Sequence, residues 1–224
     1  MRSLILAGLG FVAWMDGSAQ LTMESAKQAA LSLHLSSYSY HEQCVGHAGY
    51  GAPIILTKDG GAAAFGDGDE GPMLVRFDTA GAILWKRPFT AKGEEMELQS
   101  VVQTSSGDFM VFALVYDANR FKYRGGCERA AYITKKGTVL WDKFIGTCGL
   151  LNSPTVSYIR ALPDGRISLR GHIVKQSPPK GQDPTYLFWE GWLNSKGVMT
   201  QKTGAAIDWK KTEEWQSKLK PEGQ

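Results

Sequence analysis

The chain has 224 residues, with 25 Lys and Arg against 22 Asp and Glu, a formal net charge of +3 and three cysteines. That length can bury one substantial core. The charge surplus is small and scattered, which excludes the concentrated basic stripe of a nucleic-acid binder.

Arg2, the apolar residues 4–15 and the small residues Gly17 and Ala19 open the chain. They form the pattern of a signal peptide over 1–19, cleaved after Ala19. An apolar run of about a dozen residues is shorter than the ~20 that cross a bilayer, so no transmembrane segment is expected after cleavage. The first cysteine is Cys44, too far along for a lipoprotein. A secreted or periplasmic location is expected, where disulfides form.

The lead 20–52 holds one helix candidate, over 25–33. Ser25 and Gln28 have capping-box spacing, and Ala26, Ala29, Ala30 and Leu33 share a helical face. Leu31, Leu33 and Leu35 alternate with polar residues, so a strand competes there. His41, Cys44 and His47 follow as H-x-x-C-x-x-H. Imidazole and thiolate are donors that zinc or copper prefers. No fourth donor is evident, and a surface loop with Cys44 buried or disulfide-linked is the competing reading.

From residue 53 to 209 one cassette recurs three times, at 55–89, 101–145 and 159–204. Each copy reads strand, Gly turn, strand, loop, strand, Gly turn, strand. The first turns are Asp59-Gly60, Ser106-Gly107 and Asp164-Gly165, where Asp or Ser bonds its own backbone and Gly takes a positive φ. Apolar residues follow at period two: Ala62 and Ala64, Phe109 and Val111, Ile167 and Leu169. The second turns centre on Gly81, Gly137 and Gly197. Four residues past them stand Trp85, Trp141 and, breaking the pattern, Gln201. A large ring repeated at a fixed distance from a turn reads as a packing bolt between neighbouring sheets.

The spacing from first to second Gly is 21 residues in copy one (Gly60 to Gly81), 30 in copy two (Gly107 to Gly137) and 32 in copy three (Gly165 to Gly197). The extra length lies between the second and third strands. In an up-and-down sheet these loops, with the links between copies, share one end. Variable loops on a rigid scaffold are where binding concentrates. The binding candidates are therefore Asp67, Asp69 and Glu70 in copy one, Asp117, Arg120 and Arg124 in copy two, and Gln182 and Asp183 in copy three. GDGDEG concentrates carboxylates but lacks the spacing of a calcium loop. In copy three Tyr186, Phe188 and Trp192 fall on one strand face, with Leu187 and Trp189 on the other. Such rings are either a carbohydrate platform or the core of a strand buried on both faces. His172, opposite Leu169 and Ile173, reads as a packed or surface histidine.

Cys127 begins the third strand of copy two and Cys148 follows its fourth. Both lie about ten residues from the turn at Lys136 and Gly137, so a hairpin brings them together and a Cys127–Cys148 disulfide is expected. It would close a loop of about 20 residues, worth about 3 kcal/mol. Cys44 is then the odd thiol. No G-x-S-x-G elbow is present. The carboxylate pairs Glu94 with Glu95 and Asp67 with Asp69 are sequence neighbours, which rarely face each other across a substrate. The tail 210–224 is polar.

The stretches VRFDTAGAILWKRPF and YITKKGTVLWDKF resemble repeats of bacterial secreted β-propellers, and more distantly the quinoprotein (PQQ-type) repeats with their turn-then-Trp feature. The resemblance covers about 53–204 and implies four-stranded blades stacked around an axis. The turn is one residue shorter than the quinoprotein version and copy three lacks the Trp, so no quinone or other cofactor is carried over.

The expected fold is all-β: a propeller-like array of three to four four-stranded antiparallel blades, with a β-sandwich as alternative. A degenerate fourth blade would draw on 20–51 and 205–209. The expected function is non-enzymatic binding or scaffolding toward a protein or glycan at the loop end. The alternatives are a secreted hydrolase or lyase with a loop-built site, and a metal-binding module at His41, Cys44 and His47. An array that does not close would leave edges that favour oligomers.

Overall fold

The computed structural model describes residues 20–33, 35, 53–89, 94–117, 127–145, 154–176 and 185–207. Helix α1 spans Met23–Leu31. Its N-cap is Thr22 rather than the expected Ser25: Thr22 is extended, and its hydroxyl accepts the Ser25 N–H at 3.1 Å. The helix therefore starts two residues early and ends at Leu31, with no strand over 31–35 among the described residues. Ala26 and Ala30 are buried, and Ala29 and Leu33 pack beside them.

Twelve strands follow among the described residues, in three antiparallel sheets whose strand order is the chain order. Sheet 1 holds β1 (Ile54–Leu56), β2 (Ala62–Gly68), β3 (Gly71–Phe77) and β4 (Ile83–Pro88). Sheet 2 holds β5 (Glu94–Gln103), β6 (Phe109–Asp117), β7 (Cys127–Ile133) and β8 (Val139–Phe144). Sheet 3 holds β9 (Pro154–Ala161), β10 (Ile167–Gln176), β11 (Thr185–Leu193) and β12 (Met199–Ile207). Each cassette is thus one sheet. The stretch 205–207 extends β12 instead of starting a fourth blade, and the described part of the lead is a helix, so there is no fourth sheet among the described residues.

Period-two alternation decides how the sheets stack. Phe65 and Leu74 of sheet 1 meet Phe109, Val111 and Ile133 of sheet 2. The opposite face of sheet 2, with Met110, Phe112 and Ala130, meets Ile167, Leu169 and Trp189 of sheet 3. The far face of sheet 1, with Ala62, Ala64 and Val75, takes α1. Helix, sheet 1, sheet 2 and sheet 3 therefore lie in that order, with sheet 2 buried on both sides. Small Ala62 and Ala64 leave room for the helix close to sheet 1. Glu128 adds a polar tie: its side chain is buried and accepts the Val156 N–H of sheet 3 at 2.9 Å.

The repeated tryptophans join successive sheets. Trp85 on β4 meets Phe109 edge-on at 5.8 Å, and its indole N–H donates to the Lys135 carbonyl in the β7–β8 turn of sheet 2 at 3.0 Å. Arg87 also donates to that turn, at the Gly137 carbonyl. One sheet on, Trp141 stacks with Tyr132, and its indole N–H donates to the Ser195 carbonyl in the β11–β12 turn of sheet 3 at 2.7 Å. The turn must present bare backbone to the ring. Gly137 has φ +85°, and a Cβ there would stand 2.9 Å from the Trp85 ring.

Register corrects the alignment of copy three. In sheet 1 a bulge puts Trp85 opposite Arg76, and in sheet 2 the equivalent bulge puts Trp141 opposite Tyr132. Sheet 3 has no bulge at that point, so Thr200 stands opposite Trp192 and Gln201 opposite Gly191. Counting from the turn pairs Gln201 with the tryptophans, but the register gives their place to Thr200. Gln201 accepts the indole N–H of Trp189 at 3.3 Å.

Candidate functional site

All six Gly turns lie at one end of the stack, as an up-and-down order requires. The β2–β3 hairpin and the strand ends that the other connections leave and enter lie at the other. Of the binding candidates at that end, Asp67, Asp69 and Glu70 are exposed. They do not sit in an open loop. β2 and β3 pair up to Gly68 and Gly71, so Asp69 and Glu70 form a two-residue hairpin turn. Asp117 ends β6, paired in register with Glu94. Arg120, Arg124, Gln182 and Asp183 lie outside the described residues, as do His41, Cys44 and His47. Among the described residues, no three His, Cys, Asp or Glu side chains gather as metal donors.

Cys127 begins β7, is buried and is disulfide-bonded. The other two cysteines, Cys44 and Cys148, lie outside the described residues, and no disulfide joins two described residues.

The structure singles out a different place, the outer face of sheet 3. On β10 and β11 the residues turned away from sheet 2 pair across the ladder as Ser168 with Trp192, Arg170 with Glu190, and His172 with Phe188. The matching positions of sheet 2 are Met110, Phe112, Ala130 and Tyr132, all core. The same strand positions are thus apolar where another sheet covers them, and aromatic and ionic where no further sheet lies among the described residues. Arg170 Nε donates to Glu190 Oε1 at 2.8 Å, both side chains half-buried. Tyr186 meets the His172 ring edge-on at 5.2 Å. Burial holds the His172 pKa below its ordinary value, because a charged imidazole loses hydration there.

The aromatic strand divides as its alternation implies. Trp189 is 1% exposed and belongs to the core between sheets 2 and 3. Its ring lies over Gly191, where a Cβ would stand 2.7 Å from Cη2. Tyr186, Phe188 and Trp192 are half-buried on the outer face. Tyr158 and Arg160 of β9 and the Arg170–Glu190 pair escaped the sequence reading. The signal was present: Met110 against Ser168, Phe112 against Arg170 and Ala130 against Glu190 are equivalent positions that change character between copies.

Among the described residues, no helix is long and apolar enough to cross a membrane. The chain matches no known family and none of the curated proteins with which it was compared.

Proposed function

We propose that the chain is an exported, non-enzymatic binding protein, built as an open propeller-like stack of three blades, that recognises a glycan or protein ligand at the outer face of sheet 3. The observation that carries this reading is the outer face of sheet 3. There, Tyr186, Phe188 and Trp192 stand at alternate places on β11 around the Arg170–Glu190 pair. Sugar rings stack on such faces, and a fixed guanidinium and carboxylate offer donors and acceptors to hydroxyls. Tyr186 lies one residue into β11, so the face runs to the loop end that carries the sequence candidates.

The blade reading draws support from two repeated contacts. The first strands touch in series, β1 with β5 and β5 with β9. The fourth strands are tied in series by Trp85 and Trp141. The Cys127–Cys148 pairing fits the same frame, since the Ile145 N–H donates to Glu128 and carries the β7–β8 pairing to within three residues of Cys148.

A glycan array with the full chain tests the function. Binding to a glycan class is expected, weakened about tenfold or more by Trp192→Ala with the melting temperature unchanged. Binding that Trp192→Ala leaves intact, or turnover of a bound glycan, would contradict the reading.

A further inference from the structure

Of the six most exposed large apolar side chains among the described residues, five lie on one side of the stack: Ile83, Leu84, Leu140, Phe144 and Val198. This side is formed by the edge strands β4 and β8 and the turns beside them. Two of the five are placed there by the same device. Leu84 and Leu140 are the extra residues of the bulges that aim Trp85 and Trp141, and they stand 56% and 58% exposed. A bulge re-aims the side chain it leaves out of the ladder. Sheet 3 lacks that bulge, and Val198, 58% exposed, stands in its turn.

The net charge on this side is positive. Across 78–88, 134–145 and 194–201 there are six cations (Lys86, Arg87, Lys135, Lys136, Lys143 and Lys196) against two carboxylates, in a chain whose total is +3. Both carboxylates serve the fold. Asp78 accepts the Ala80 and Ala82 N–H groups of its own turn, and Asp142 pairs with Arg129 at 2.7 Å. The indole and guanidinium bonds from Trp85, Arg87 and Trp141 into the next sheet's turns make the side continuous.

We propose that this side docks on a bilayer surface rich in anionic headgroups, with the leucines entering the interface and the lysines meeting phosphate. Charge complementarity with such a surface is direct. The apolar side chains favour a bilayer over an acidic protein. They come from separate edge strands about 10 Å apart, interleaved with lysines, and so form no contiguous patch of the kind found at the centre of a protein interface. A bilayer accepts them singly. Strand addition by a partner is opposed by Pro88 and the flanking cations at the edge.

This surface is distinct from the outer face of sheet 3, so the two readings fail separately. The test is co-sedimentation of the full chain with vesicles of equal parts phosphatidylglycerol and phosphatidylcholine, and with phosphatidylcholine alone, at low and high salt. Binding is expected only to the anionic vesicles and weaker at high salt. Lys135→Glu with Lys136→Glu should reduce it about tenfold or more, as should Leu84→Ser with Leu140→Ser. Melting temperatures should stay within a few degrees of wild type, because all four residues are exposed; if a pair melts early, Lys196→Glu replaces it. Equal binding to both vesicle types, no binding, or variants that bind as wild type would overturn the proposal. Binding to poly-glutamate beads but not to vesicles would overturn it in favour of an acidic protein partner.

Discussion

Residues of one structural class take different roles here according to what faces them. Arg76 is 3% exposed, and its guanidinium donates to the Ala62 and Phe77 carbonyls and to Asp59 at 2.5 Å. Asp59 is 67% exposed, so the pair is half solvated. Partial burial works to raise the Asp59 pKa, but the Thr57 hydroxyl and the Arg76 charge together outweigh it and hold the carboxyl below its ordinary value. The equivalents of Arg76 are Tyr132 and Trp192, so one position carries a buried cation, a core ring and an outward ring along the stack. His172 yields a sign that can be checked. Its folded pKa is depressed, so its contribution to stability is complete above the ordinary histidine value of about 6.5 and is lost as pH falls through that value toward the folded one. Urea unfolding midpoints at about pH 7.5 and about pH 5.5 are expected to fall on acidification, and to fall less in His172→Phe. Equal falls in both proteins would show that the ring is hydrated in the fold.

At the scale of elements, the tryptophan contacts are the joints between sheets. Trp85→Ala and Trp141→Ala should each destabilise by about 3 kcal/mol, through lost ring burial and a vacated carbonyl. The two rings serve different sheet interfaces, so the double variant should lose close to the total of the single losses in denaturant unfolding, whereas strong non-additivity would mean one shared site. These elements were largely legible in the sequence, because Gly turns and period-two apolar runs report local geometry. The placement of Trp85 and Trp141 as bolts was legible too, since a repeated ring needs a repeated neighbour. Thr200 was not, because a bulge shifts register without changing the spacing counted from the turn. The N-cap fell on Thr22 because its extended backbone lets the hydroxyl reach the Ser25 N–H. The short spacing of copy one has its reason in Asp69 and Glu70, an exposed acidic turn that closes β2 on β3 in two residues.

For the whole molecule, the outer faces of the first and third sheets are unlike among the described residues. α1 lies on the small alanines of sheet 1, and aromatic and ionic residues line the outer face of sheet 3. Terminal repeats are commonly atypical because they meet no neighbour of their own kind. An open stack places α1 and sheet 3 at opposite ends, whereas a closed ring would bring them together. Sheets pack about 10 Å apart, so the helix and the third sheet should be separated by about 30 Å. The sharpest test is a pulsed electron-spin distance between labels at Leu31 on α1 and Thr200 on β12, both exposed, attached by chemistry that spares Cys127. A distribution centred at about 30 Å or beyond is expected, and one centred at about 15 Å or less would contradict the proposed open stack and the binding role proposed for the outer face of sheet 3.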